Sequence, residues 1–237
     1  GYPADQKYRA KTLAEGTVAG LTTPLIGKIG GPLLAPLLVK RMVPRMAFAG
    51  ANDNNKPLLV ESFGNLVDIL QNHLQSRSYL FGERPSFGDF GLWGQMHQAY
   101  IDPSCGAILR QRGPAVVAWI ERMLEPEKCG EYETLESLEP TLAPLFSREV
   151  GPRFLAWDVA NARAWDAGEA QTELEMDGRR YYQKTFKYPA QALGILKAKF
   201  NQASSDGELI RFLASTGCLQ YLTGTDGTGV SAGSLKE

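Results

Sequence analysis

The chain of 237 residues is short of histidine, cysteine and net charge: it has two His, three Cys and a formal charge of -1. Each shortage closes a class of function. A general nucleic-acid binder usually carries a basic surplus, so no nucleic-acid role is expected, although a local basic patch stays open. Cys105, Cys129 and Cys218 are odd in number and never form a Cys-x-x-Cys pair. That excludes a disulfide framework and a zinc ribbon, and the cytoplasm, a reducing compartment, is the expected setting. His73 and His97 have no Cys or His at metal-ligand spacing. Both read as core or edge histidines, so no metal is expected. There is no G-x-S-x-G elbow, no recognisable Ser-His-Asp set and no G-x-x-x-x-G-K phosphate loop. No apolar run reaches the roughly 20 residues a membrane span needs. The nearest, GLTTPLIGKIGGPLLAPLLVKRM, is interrupted by Lys28, Pro24, Pro32, Pro36 and several glycines.

What remains is an ordinary globular composition, 43% hydrophobic and 22% charged, long enough for one large domain or two small ones. Residues 4–15 read as a short helix. Gly16 to Asn52 holds no acidic residue but does hold Lys28, Lys40, Arg41 and Arg45. It reads either as a membrane-surface segment or as short helices folded on the protein's own core; the second is the expectation. Residues 58–76 form the clearest helix, with Leu59, Phe63, Leu66, Val67, Leu70 and Leu74 at three- and four-residue steps. In SFGDFGLWGQ, Ser86 and Asp89 stand as N-cap and N3 of the next helix. The serine oxygen can accept from the N3 amide while the aspartate reaches back to the N-cap amide. Gly88, Gly91 and Gly94 weaken that helix by about 1 kcal/mol each. The expectation is that they permit close approach of neighbouring backbones, so that the helix is central and buried.

Pro114 opens a further helix. A helical tract follows over LESLEPTLAPLFSREV and, after Gly151-Pro152, over RFLAWDVANARAWDAG. TELEMDGRRYYQKTF then alternates around an Asp177-Gly178 turn, which sets Glu175 opposite Arg180 and Leu174 opposite Tyr181. PAQALGILKAKF reads as a helix, SDGE (205–208) as a second capping box, and 223–237 as a flexible tail. The expected class is mainly α with one small C-terminal β-hairpin. Asp158 and Asp166, and Trp157 and Trp165, share i, i+8 spacing. Solvated charges and core aromatics explain them as well as acid-base chemistry or a ligand cage does.

The run SYLFGERPSFGDFGLWGQ resembles the C-terminal helical domain of glutathione S-transferases, which carry a pattern of the form fl.G..pS.ADf.l. Leu80, Gly82, Pro85, Ser86, Asp89 and Phe90 match, and Gly88 stands where alanine is usual. The likeness is good over about 55–125 and weak over 1–50. It implies a helical bundle in which Ser86 and Asp89 are structural N-capping residues. No catalytic residue carries over. It also implies a homodimer, glutathione as co-substrate of the parent protein, and an apolar electrophile as the partner lined by this half. Thiol activation is expected from an N-terminal thioredoxin-like domain, for which 1–57 offers no β-α-β pattern. Since the chain opens on Gly1, a processed piece or the loss of upstream residues is expected. Tyr2, Tyr8 and Leu13 would face the missing half. The expected domains are 1–129 (with 16–52 as an insert), 130–222 and the tail. The alternative is a non-catalytic protein-interaction module of the same fold.

Overall fold

The computed structural model describes residues 44–224 without interruption, and before them only Tyr8, Lys11, Thr12, Ala14, Glu15, 34–37 and 39–41. Most of the expected helix at 4–15, residues 16–33 of the apolar basic segment, and the tail beyond Gly224 lie outside the described residues. The architecture is mainly α-helical with one two-stranded antiparallel hairpin. It divides into two compact units, Gly1–Glu131 and Tyr132–Glu237. Among the described residues no helix is long and apolar enough to cross a membrane.

In the first unit a 3-10 turn, Ala47–Ala49, stops at Gly50 with φ 83°. Asn55 is fully buried; its amide donates to Gly50 O at 2.9 Å, and its backbone N–H donates to Asn52 Oδ1 at 2.9 Å. That pair fastens the turn to the start of α1, Lys56–Leu74. Three more helices follow: α2 Phe87–Ile101, α3 Pro103–Arg112 and α4 Pro114–Arg122. Proline suits the first position of α3 and α4, where its missing N–H would have no helical partner. Asp102 caps α3 by accepting from the Ser104 and Cys105 amides at 3.1 and 2.9 Å, an element the sequence pattern did not reveal. α1 packs on α3 and α4, and α2 packs on the same two. Val67, Leu70, Leu109, Val116, Trp119 and Ile120 have no exposed surface.

Two expectations about these helices are corrected. The stripe of α1 holds at Val67, Leu70 and Leu74, but Leu58 is buried and Leu59 exposed. Leu58, Leu59 and Val60 are apolar in succession and leave the phase undetermined there. α2 is not buried on all sides: only Asp89 and Met96 of its residues are buried, and Phe87 is 92% exposed. A Cβ at Gly91 or Gly94 would meet nothing within 4 Å, whereas one at Gly88 would touch the Phe81 ring at 3.0 Å. None of the three therefore admits a neighbouring backbone, and only Gly88 makes room for a side chain, the Phe81 ring.

In the second unit α5, Leu135–Leu145, runs without a break into a π-helical stretch, Phe146–Leu155, and on into α6, Ala156–Asp166. The tract read across Gly151-Pro152 is thus one continuous helical run, with Pro152 inside the π-helical stretch. The wider winding absorbs the missing proline N–H. Gly151 sits where a side chain would meet Cys218 Sγ and Phe146 O, both at 3.2 Å. The hairpin strands are β1, Gln171–Met176, and β2, Arg179–Lys184. Leu174 pairs with Tyr181 and Glu175 with Arg180, as the turn predicts. Asp177 (φ 51°) and Gly178 (φ 70°) make the turn. The guanidinium of Arg180 nevertheless reaches diagonally to Glu173, with Nη2 2.7 Å from its carboxylate. Asn161 of α6 holds the exit of β2 as a strand would: its amide donates to Phe186 O at 2.8 Å and accepts from Phe186 N–H at 2.9 Å. Helices α7 (Lys187–Ala203), α8 (Gly207–Ser215) and α9 (Leu219–Thr223) close the unit. The cap of α8 is Asp206 rather than Ser205, accepting from the Glu208 and Leu209 amides at 3.0 and 3.1 Å. Asp206 occupies the N-cap because the helix starts one residue later than the SDGE spacing implies.

Candidate functional site

Asp89 is fully buried, and its carboxylate accepts four hydrogen bonds. Its Oδ2 accepts from the Ser86 amide at 2.8 Å and the Ser86 hydroxyl at 2.6 Å. Its Oδ1 accepts from the Leu80 amide at 2.8 Å and the Trp119 indole at 2.9 Å. Ser86 Oγ in turn accepts from the Asp89 amide at 3.3 Å. The two residues singled out in the sequence thus form a capping box, and the box is also a junction of three chain segments. An ionised carboxylate offers about four lone-pair sites. All are occupied by protein donors, so Asp89 has none left for a substrate or a metal.

The segment before α2 is held from both sides. Tyr79 and Gly82 pair with each other, with Gly82 at φ 127°. The carbonyl of Leu80 can only accept, so His73 Nε2, 2.8 Å away, carries the proton. That is the satisfied core role expected of His73. His97 lies against Trp93, ring centroids 5.1 Å apart, while the Trp93 indole donates to Ile120 O at 3.0 Å. Sequence spacing could not have found the Leu80 and Trp119 donors, since they come from other elements.

The chain that leaves α4 crosses back over this segment. The Glu127 amide donates to Tyr79 Oη at 3.2 Å and the Glu83 amide to Glu131 O at 3.0 Å. Gly130, at φ 90°, leaves no room for a side chain, since a Cβ would lie 2.7 Å from Glu83 Cβ. The crossing bounds a cleft of about 490 Å3 lined by Tyr79, Glu83, Glu121, Arg122, Glu127 and Cys129 among others. Arg122 donates to Ser78 O at 2.7 Å and lies 5.9 Å from the centre of the Tyr79 ring. The Cys129 thiol is 3.5 Å from Glu127. That hydrogen bond, then desolvation and the Glu127 charge, push the thiol above its ordinary pKa. A thiol held protonated is a poor nucleophile. Among the described residues no three His, Cys, Asp or Glu side chains are grouped to hold a metal ion.

The outward side of α2 differs in character. Phe87, Phe90 and Ile101 are 92%, 47% and 54% exposed, with open space above Gly91 and Gly94 between them. Phe87 and Phe90 are one turn apart, and the exposed Gln98 separates them from Ile101. In the second unit Asp158 is buried and Asp166 exposed, so the two do not act as a carboxylate pair. Burial, opposed by the charge of Lys197, pushes the Asp158 carboxyl up to about 6. Trp157 is half-buried and Trp165 exposed. Tyr8 is 53% exposed, and Tyr2 and Leu13 lie outside the described residues.

Residues 46–122 match the family model described as glutathione S-transferase, C-terminal domain. The match spans α1 to α4 and centres on the Asp89 junction. This part of the chain is a helical domain of that family. No curated protein and no solved structure matches the chain.

Proposed function

We propose that the domain at 46–122 forms the apolar co-substrate side of a glutathione S-transferase-like protein. In this reading the partner of glutathione is an apolar electrophile, and an N-terminal thioredoxin-like domain of the parent protein lowers the thiol pKa so that the thiolate attacks. Contacts between two copies belong to the same proposal. The observation that carries it is the outward face of α2, where Phe87, Phe90 and Ile101 stand exposed on a domain of this family. Ser86 and Asp89 hold that helix in place and take no part in the chemistry.

The test uses the protein purified from its own cells, with glutathione and an apolar aryl halide. Phe87→Ser together with Phe90→Ser should lower kcat/KM for the aryl halide about tenfold, the worth of a lost apolar contact. Retention on glutathione resin should stay the same. A native protein that neither binds the resin nor forms the conjugate would overturn the enzyme reading. The second reading, an interaction module, is favoured by α7, where Tyr188 and Ile195 are 79% and 61% exposed one above the other. It expects a stable heteromeric complex from native cells that Ile195→Asp dissolves.

A further inference from the structure

Two buried polar atoms stand without a hydrogen-bond partner in the first turn of α6: Asp158 Oδ1 and the Trp157 indole nitrogen. Buried polar groups are nearly always paired, and an exception requires a physical reason. Asp158 is 4% exposed. The turn that carries it follows directly on the π-helical stretch, a winding that recurs at functional positions.

We infer that Asp158 makes the seam between α6 and α7 proton-sensitive: the neutral carboxyl lets the seam close, and the carboxylate loosens it. α6 packs against α7, the π-helical stretch and β1. The charged groups of those elements are Lys187, Lys197 and Lys199 on α7, Arg148, Glu149 and Arg153 on the π-helical stretch, and Glu173 and Glu175 on β1. On α7, Lys197 acts on Asp158 and favours its charged form. On the π-helical stretch, Glu149 and Arg153 bind each other at 3.0 Å, and Arg153 also binds Asp177 at 2.7 Å. On β1, Glu173 is taken up by Arg180. Lys197 is thus the one charge among the described residues that acts on the carboxyl. It offsets only part of the cost of burying a carboxylate that lacks a partner for one oxygen.

The sign follows from linkage. The carboxyl is raised from 3.8 to about 6 in the folded chain. The folded state therefore binds the proton more tightly than the unfolded one, and stability falls as pH rises from about 4 to about 6. Between pH 7.5 and pH 5 the seam should tighten about tenfold, one pH unit below the folded value. This inference is independent of any transferase activity.

The experiment is hydrogen exchange of α6 and α7 amides in the full chain at pH 5 to 8, corrected for intrinsic exchange. In the native sequence protection should be about tenfold higher at pH 5 than at pH 7.5. In Asp158→Asn that dependence should vanish, with protection at pH 7.5 raised to the acid level. Lys197→Met gives an independent check, since it should lower protection at pH 7.5 and leave it unchanged at pH 5. Equal pH dependence in the native chain and Asp158→Asn would overturn the inference. If Asp158→Asn does not fold, a Lys197→Met chain with unchanged protection at pH 7.5 would overturn it equally.

Discussion

At the residue scale Asp89 does more than a cap normally does. An exposed N-cap side chain is worth about 1 kcal/mol. Asp89→Ala removes the acceptor of four hydrogen bonds, two of which come from the Leu80 amide and the Trp119 indole. Each donor stranded in the core costs about 1–3 kcal/mol, so the expected loss is about 3–5 kcal/mol. Ser86→Ala should lose about 1 kcal/mol, and Asp89→Asn, which keeps one acceptor oxygen, should fall between the two. Urea denaturation of the three variants checks the order. Equal losses for Ser86→Ala and Asp89→Ala would show that the Leu80 and Trp119 bonds contribute nothing. The local half of this arrangement was legible, because Ser-x-x-Asp is a spacing within a single turn. The other half was not, because Trp119 stands 30 positions away on α4 and no periodicity links it to Asp89.

At the element scale the three glycines of α2 show where pattern reading stops. Regular spacing says that side chains are missing from one face, not whether anything else occupies the space. For Gly88 the Phe81 ring does; for Gly91 and Gly94 nothing does. Gly91→Ala and Gly94→Ala should therefore each raise the stability of the isolated chain by about 0.5–1 kcal/mol, the helix preference of alanine. Thermal melting of the single and double variants checks this. On the proposed reading, in which an apolar co-substrate lies against Phe87 and Phe90, a methyl at either position intrudes on it, so conjugation activity should fall while the chain becomes more stable. A loss of stability in the isolated chain would mean that α2 is already covered on that side. The hairpin is the opposite case. Two residues with positive φ, Asp177 and Gly178, fix its register, and both could be read from the local sequence. The diagonal choice of Arg180 for Glu173 over Glu175 could not, because register sets backbone partners and leaves a long side chain free to choose between neighbours.

At the scale of the whole molecule, the mainly helical class was legible from apolar periodicity and proline placement. The π-helical winding that carries Pro152 was not, because proline removes an α-helical N–H and the local sequence does not show that a wider turn takes it up. A cluster of buried apolar side chains runs from Val67 to Met123, with Phe63 packed against it, and lies entirely in the first unit. A core that closes within one stretch of chain has no need of distant residues for its apolar burial. Residues 1–131 alone should therefore unfold in urea as a single cooperative transition. Trp93 and Trp119 are the two tryptophans of that fragment, and Trp119 has no exposed surface. Emission should accordingly be blue-shifted in the folded fragment and move to the red through the same midpoint as the helical circular dichroism. Coincidence of the two probes would establish the first unit as an independent folding domain. A fragment with solvent-exposed tryptophan emission in the absence of urea would instead show that the Asp89 junction depends on residues beyond Glu131.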